Sequence, residues 1–164
     1  MSKIYIVCVE DEPDVLEAVV RELEPLEDVF PVEAAADAAE ARKVLASIRE
    51  KGDEVGVIFC DHIMPGESGV DLLVDLERNP DWDLTRKVLL TGQAGLEATV
   101  KAVNEADLAH YISKPWEENE LVSVAKEQLT EYVRDRDLNP GPYLRHLDVD
   151  RLGDLMRRHY SADR

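Results

Sequence analysis

Positive charge, cysteine and aromatic residues are all scarce in this chain. Nineteen lysines and arginines stand against 36 aspartates and glutamates, a formal net charge of −17. So acidic a chain lacks the basic surface that draws a protein to nucleic acid, and no direct nucleic-acid partner is expected. There are two cysteines, Cys8 and Cys60, both inside apolar runs. They read as reduced core thiols of a cytoplasmic protein rather than as a disulfide framework. No Cys/His metal-ligand spacing and no glycine-rich phosphate loop occurs. No apolar run reaches the roughly 18 residues of a membrane span. Met1-Ser2-Lys3 leads straight into a strand-like run, without the pattern of a signal peptide. These absences predict a cytoplasmic protein with no membrane partner, and 164 residues leave room for one domain and a small appendage.

What is present is a series of short, continuous apolar runs rich in β-branched residues: Ile4-Tyr5-Ile6-Val7-Cys8-Val9, Val57-Ile58-Phe59-Cys60, Val88-Leu89-Leu90 and Tyr111-Ile112-Ser113. Continuous rather than alternating runs mark strands buried on both faces, as in a parallel sheet. Each run ends on a polar residue. Glu10 and Asp11 follow the first, Asp61 the second, Thr91 the third and Lys114 the fourth. In an open parallel α/β sheet, ligands bind beyond the carboxyl ends of the strands. The pattern therefore delivers three carboxylates, a hydroxyl and an ammonium to one edge.

Three crowded carboxylates repel one another, by about 1 kcal/mol per pair near 4 Å in water and about 4 at an effective dielectric of 20. A hard divalent cation with oxygen ligands relieves this, and Mg²⁺ commonly takes one or two carboxylates together with phosphate oxygens. A lysine adds a point charge for a phosphate and a threonine adds a hydroxyl donor. The set is suited to holding Mg²⁺ and a phosphoryl group together, with one carboxylate free to act as nucleophile.

These residues carry a resemblance. Glu10-Asp11, Asp61 with Met64-Pro65-Gly66 and Gly69 behind it, Thr91-Gly92, and Lys114-Pro115 resemble, in order and spacing, the receiver domain of response regulators, the CheY-like family of two-component signal transduction. The resemblance covers residues 1–136. It departs at Glu10, where many relatives carry aspartate, and in a longer second helix. It implies a doubly wound, flavodoxin-like α/β fold with a five-stranded parallel sheet in the order 2-1-3-4-5. It also implies that Asp61 accepts a phosphoryl group from a sensor histidine kinase or a phosphotransfer protein. On this reading Asp11 and Asp61 bind Mg²⁺ directly with the Ile63 carbonyl, and Glu10 acts through a metal-bound water. Lys114 and Thr91 contact the phosphoryl oxygens, and Ile63 and Gln93 tune hydrolysis of the product. Tyr111 matches the family's aromatic switch, although the same residue also reads as an ordinary aromatic at a strand end. The face made by the fourth helix, fifth strand and fifth helix would report the phosphorylated state, so the chain is expected to be a signalling domain and not an enzyme acting on other substrates.

Periodicity and punctuation place the helices. Residues 14–24 carry Val15, Leu16, Val19, Val20 and Leu23 on one face, between Pro13 and Pro25. Residues 29–34 form a weak second strand, which Pro31 assigns to an edge. Asp37 caps a helix to about residue 51, and further helices are expected over 69–78, 96–105 and 117–136, with the fifth strand over 108–113. Asn139-Pro140-Gly141-Pro142 then breaks the chain. Beyond it Val149, Leu152, Leu155, Met156 and Tyr160 form the stripe of a short helix capped by Asp148. Residues 1–136 hold 31 acidic and 14 basic side chains and residues 137–164 hold five of each, so the whole acidic surplus sits in the first part. A helix this short is marginal alone. The 137–164 extension therefore packs on its own receiver, contacts a partner or a second copy, or begins an output domain. A helix over residues 143–160, docked near the fourth-helix and fifth-helix face, is expected, and a homodimer would use that face or the tail.

Two other function classes fit part of the pattern. A receiver-like docking or dimerisation module would keep the fold without cycling phosphate. A Mg²⁺-dependent phosphohydrolase would place a second acid just behind its nucleophile, but the residue two beyond Asp61 is Ile63. His62 reads as a partly exposed loop residue rather than a catalytic base. Trp82, in a polar Asn-Pro-Asp-Trp-Asp loop, reads as cover for a helix end, and Trp116 as packing at the start of the fifth helix.

Overall fold

The structure, a computed structural model, describes residues 2–92 and 95–162, the last four as backbone. The buried runs form five parallel strands: β1 (Ile4–Val9), β2 (Val32–Ala35), β3 (Glu54–Asp61), β4 (Arg86–Thr91) and β5 (His110–Ser113). Their order is β2-β1-β3-β4-β5, as the resemblance implied. The helices are α1 (Pro13–Leu23), α2 (Ala38–Glu50), α3 (Gly69–Glu77), α4 (Leu96–Glu105), α5 (Glu120–Asp135) and α6 (Val149–Ala162). β2 occupies the edge, and Pro31 stands just outside it, where its carbonyl accepts a bond from the Ile6 amide at 2.8 Å. The Asp37 carboxylate accepts the Glu40 amide, capping α2 as expected.

Alternate residues of the central strands face opposite layers. Ile4, Ile6, Cys8, Phe59, Val88 and Leu90 pack under α1 and α5; Tyr5, Val7, Ile58, Cys60 and Leu89 pack under α2, α3 and α4. Gly56 marks the one irregularity between β1 and β3, where Tyr5 pairs with Val55 and Ile6 with Val57. A Cβ on Gly56 would lie 2.6 Å from Leu129 and 2.7 Å from Ile4, so its bare backbone lets α5 settle on the sheet. Both thiols are buried. Burial pushes Cys8 up to about 12 and Cys60 up as well, which leaves them unreactive.

Several boundaries differ from the sequence expectation; the tail helix expected over 143–160 begins at Val149, after a 3-10 turn. β2 begins at Val32, after a turn over residues 27–29, and β5 at His110, after an irregular stretch over residues 107–109. α5 begins at Glu120 instead of residue 117. Asn119 holds a left-handed φ of 68°, and the Glu120 carboxylate accepts the Glu117 amide, so the chain turns into the helix there.

The extension is helical and packs on its own chain. A 3-10 turn over Gly141–His146 stacks Tyr143 on Phe30, with ring centroids 5.6 Å apart. Arg145 and His146 both meet Asp28. The Asp148 carboxylate caps α6 by accepting the Arg151 amide, and the Asp148 amide donates to Thr130. Leu147 and Leu152 join the core under α1 and α5. The expected docking surface is therefore corrected: the tail lies on the α1–α5 layer and not beside α4. α5 ends next to the start of β3, where Tyr132 and Arg136 both donate to Glu54 at 2.9 Å. The breaker cluster turns the chain back from that end onto α1 and α5. The stripe residue Tyr160 lies outside the described side chains.

Candidate functional site

The carboxyl ends of β1 and β3 bring Glu10, Asp11 and Asp61 together, one oxygen of each lying within 4.8 Å of the others. Glu10 is 1% exposed and Asp61 7%. Two carboxylates so deeply set require compensation, and Lys114 supplies it from the end of β5. Its Nζ donates to Glu10 Oε2 at 2.7 Å and lies 3.5 Å from Asp61 Oδ1. Burial pushes the Glu10 carboxyl upward; the Lys114 bond pulls it back, and the Asp61 charge adds to the rise. Burial acts against the charged form of Lys114, but Glu10 and Asp61 outweigh it and hold the ammonium above its ordinary value. The lysine therefore stays protonated in the site.

Asp61 is also fixed from its own backbone. Its Oδ1 accepts the His62 amide at 2.8 Å. Behind it, the Gly69 amide donates to the His62 carbonyl at 2.9 Å, closing the loop that starts α3. A Cβ on Gly69 would stand 1.8 Å from the Asp61 carbonyl oxygen, so only glycine lets α3 begin this close to the acid. Thr91 ends β4 and is buried, and its carbonyl accepts the Lys114 amide at 2.8 Å, coupling the hydroxyl-bearing and ammonium-bearing strands.

The structure thus gathers Glu10, Asp11, Asp61, Thr91 and Lys114 at one end of the sheet. Ile63 lies in the loop beyond Asp61 and is 67% exposed. Tyr111 is 54% exposed on β5, facing away from the core. Gln93 lies outside the described residues.

Several features were not legible from the sequence. His62 is half-buried, and its Nδ1 is covered without a hydrogen-bond partner among the described residues, beside a cleft of about 380 Å³ that Asp71 and Lys101 also line. Trp116 does more than pack: its indole N–H donates to Glu22 at 2.6 Å, tying the loop after Lys114 to α1. Such tertiary pairings, 94 residues apart here, leave no local signal.

A family model described as the response regulator receiver domain matches residues 6–126. The chain belongs to this family. The receiver is 35% identical over 127 residues to the hydrogenase transcriptional regulatory protein HoxA of Bradyrhizobium diazoefficiens, covering 77% of this chain and 24% of that protein. It therefore spans about a quarter of the length of that curated relative. A solved signal receiver domain of an HD domain-containing protein from Pseudomonas fluorescens superposes with a TM-score of 0.72 at 28% identity, over 80% of this chain and 98% of that one. A CheY-like response regulator receiver from Methanospirillum hungatei gives 0.69 at 27%, over 82% and 99%. Receiver domains typically bind Mg²⁺, interact with histidine kinases or phosphotransfer proteins, and are generally not true enzymes. The donor set fits such an ion, since it is all oxygen, anionic and clustered. No helix among the described residues is long and apolar enough to cross a membrane.

Proposed function

We propose that this receiver accepts a phosphoryl group on Asp61 from a histidine of a partner kinase or phosphotransfer protein, in a Mg²⁺-dependent reaction. The observation that carries this reading is the convergence of Glu10, Asp11 and Asp61 within 4.8 Å, with Lys114 bridging the first and third. Asp11 and Asp61 would hold the ion directly, with the Ile63 carbonyl, and Glu10 through a water. Mg²⁺, when bound, supplies positive charge against the carboxylates and the transferring oxygens.

Asp61 is the nucleophile. One of its carboxylate oxygens forms the new bond to phosphorus while the bond from phosphorus to the donor imidazole nitrogen breaks, and the electron pair leaves with that nitrogen. Lys114 faces the phosphoryl oxygens as a fixed charge, so the catalytic contribution of these residues is positioning and electrostatic stabilisation. The Thr91 hydroxyl then donates to a phosphoryl oxygen. Tyr111, now exposed, turns inward as Thr91 moves, and the face of α4, β5 and α5 changes population between two states. Residues 1–136 form the receiver unit and residues 137–164 its extension, and the protein works in the cytoplasm.

Incubation with acetyl phosphate and Mg²⁺ tests this reading. A stoichiometric, acid-stable, hydroxylamine-labile adduct is expected. Sustained turnover of phosphomonoesters would indicate a hydrolase instead, and neither adduct nor turnover would leave a docking module.

A further inference from the structure

α2 carries two arginines seven residues apart, Arg42 and Arg49, which fall on one face of the helix. Both reach across to the α3 side. Arg49 meets Asp81, in the turn after α3, at 2.8 Å. Arg42 holds two acids at once. Its Nε donates to Glu67 Oε1 at 3.1 Å and its Nη2 to Glu67 Oε2 at 2.7 Å, a fork on one carboxylate. The same Nη2 donates to Asp75 Oδ2 at 2.6 Å. Asp75 belongs to α3, whereas Glu67 precedes it, in the loop from β3. A lone ion pair at a surface contributes little, but a guanidinium forked on a carboxylate is directional and stronger.

That loop is pinned at its ends and sparsely held between them. The Gly69 amide closes it on the His62 carbonyl at 2.9 Å. Among the described residues, no backbone hydrogen bond ties residues 63–66. Pro65 and Gly66 are exposed, and Gly66 takes a left-handed φ of 81°. Two side chains remain as anchors. Met64 is buried in the layer under α2 and α3, a packing contact that a flexible thioether makes without strong direction. Glu67 supplies the direction, through Arg42. The Ile63 carbonyl lies in the stretch between Asp61 and these two anchors.

We propose that Arg42 is a positioning residue of the metal site. Through Glu67 it sets the loop that carries the Ile63 carbonyl, and so it tunes Mg²⁺ affinity from α2 without touching the ion. The proposal rests on the reading of Glu10, Asp11 and Asp61 as the Mg²⁺ site, and it does not depend on which group Asp61 accepts.

Isothermal titration calorimetry with Mg²⁺ on the full chain tests it. Wild type is compared with Arg42→Ala, Glu67→Ala and the double variant, and Arg49→Ala is the control that breaks the other α2 pair. Arg42 and Glu67 are partly exposed, so their loss leaves the core intact. The signs of the two charges separate positioning from the general field. By the field alone, loss of Arg42 would tighten Mg²⁺ binding and loss of Glu67 would weaken it. Positioning predicts that each single loss weakens it by about tenfold, as for a group that orients a metal ligand from outside the coordination sphere. The double variant should bind about as weakly as either single one, because both remove the same fork. Arg49→Ala should bind as wild type does. In the metal-free protein, NMR order parameters of the Met64, Gly66 and Glu67 amides should fall in Arg42→Ala from near the rigid value of about 0.85 toward about 0.6. The positioning role is overturned if Arg42→Ala binds Mg²⁺ as tightly as wild type or tighter, if the two losses add, if Arg49→Ala weakens binding equally, or if the loop amides stay rigid. A wild type that binds no Mg²⁺ overturns the metal reading itself, and the proposal with it.

Discussion

At the scale of single residues, the site is a problem in charge. Glu10 and Asp61 are buried acids that share one lysine, and Asp11 adds a third negative charge at a half-buried position. Asp11→Ala removes a ligand that holds metal by charge, and it removes two repulsions that Lys114 only partly offsets. We expect the metal-free variant to be more stable than wild type by up to about 1 kcal/mol, and to lose most of the melting-temperature gain that wild type shows in millimolar Mg²⁺. Thermal melts with and without Mg²⁺ check both halves; a wild type indifferent to Mg²⁺ would show that the cluster is not a metal site. These five residues were legible in the sequence because each closes an apolar run, so strand ends and site residues are one signal. The close approach of Gly69 to the Asp61 carbonyl, the Trp116–Glu22 bond and the covered Nδ1 of His62 were not. Their roles come from approaches between distant segments, which a one-dimensional pattern does not carry.

At the scale of elements, period and punctuation went far. α4 occupies the expected residues, the Asp37 and Asp148 caps form, and β2 takes the expected edge, although Pro31 stands just outside the strand. The misplaced starts of β2, β5 and α5 share a cause: apolar or acidic residues run ahead of the point where the strand or helix begins, and only geometry shows that limit. Gly56 illustrates the same gap. In sequence it weakens a strand, whereas in the fold it is where α5 meets the sheet. Gly56→Ala should therefore destabilise the protein by about 1–3 kcal/mol through overpacking against Leu129 and Ile4. Urea denaturation measures this, and an unchanged midpoint would show that α5 can shift without cost.

At the scale of the whole molecule, the extension is part of the core. Tyr143, Leu147 and Leu152 are buried among α1 and α5 residues. Full burial of one large apolar side chain is worth about 1.5–3 kcal/mol, so truncation after Leu138 should lower stability by about 3 kcal/mol or more, after discount for the entropy of ordering the tail. Hydrogen exchange gives a second reading. Amides of residues 152–157 should be protected in the full chain, and free exchange there would show an undocked tail. The sequence supported a packed tail but misplaced its seat, because the direction in which α5 releases the chain depends on the sheet end it reaches.

The central claim is the identity of the acceptor, and chemical mapping tests it most directly. After reaction with acetyl phosphate and Mg²⁺, borohydride reduction converts a phosphorylated aspartate to homoserine, which peptide mass spectrometry locates. The account predicts homoserine at position 61 and none in Asp61→Asn. Homoserine at any other aspartate, or an undiminished adduct in Asp61→Asn, would contradict it.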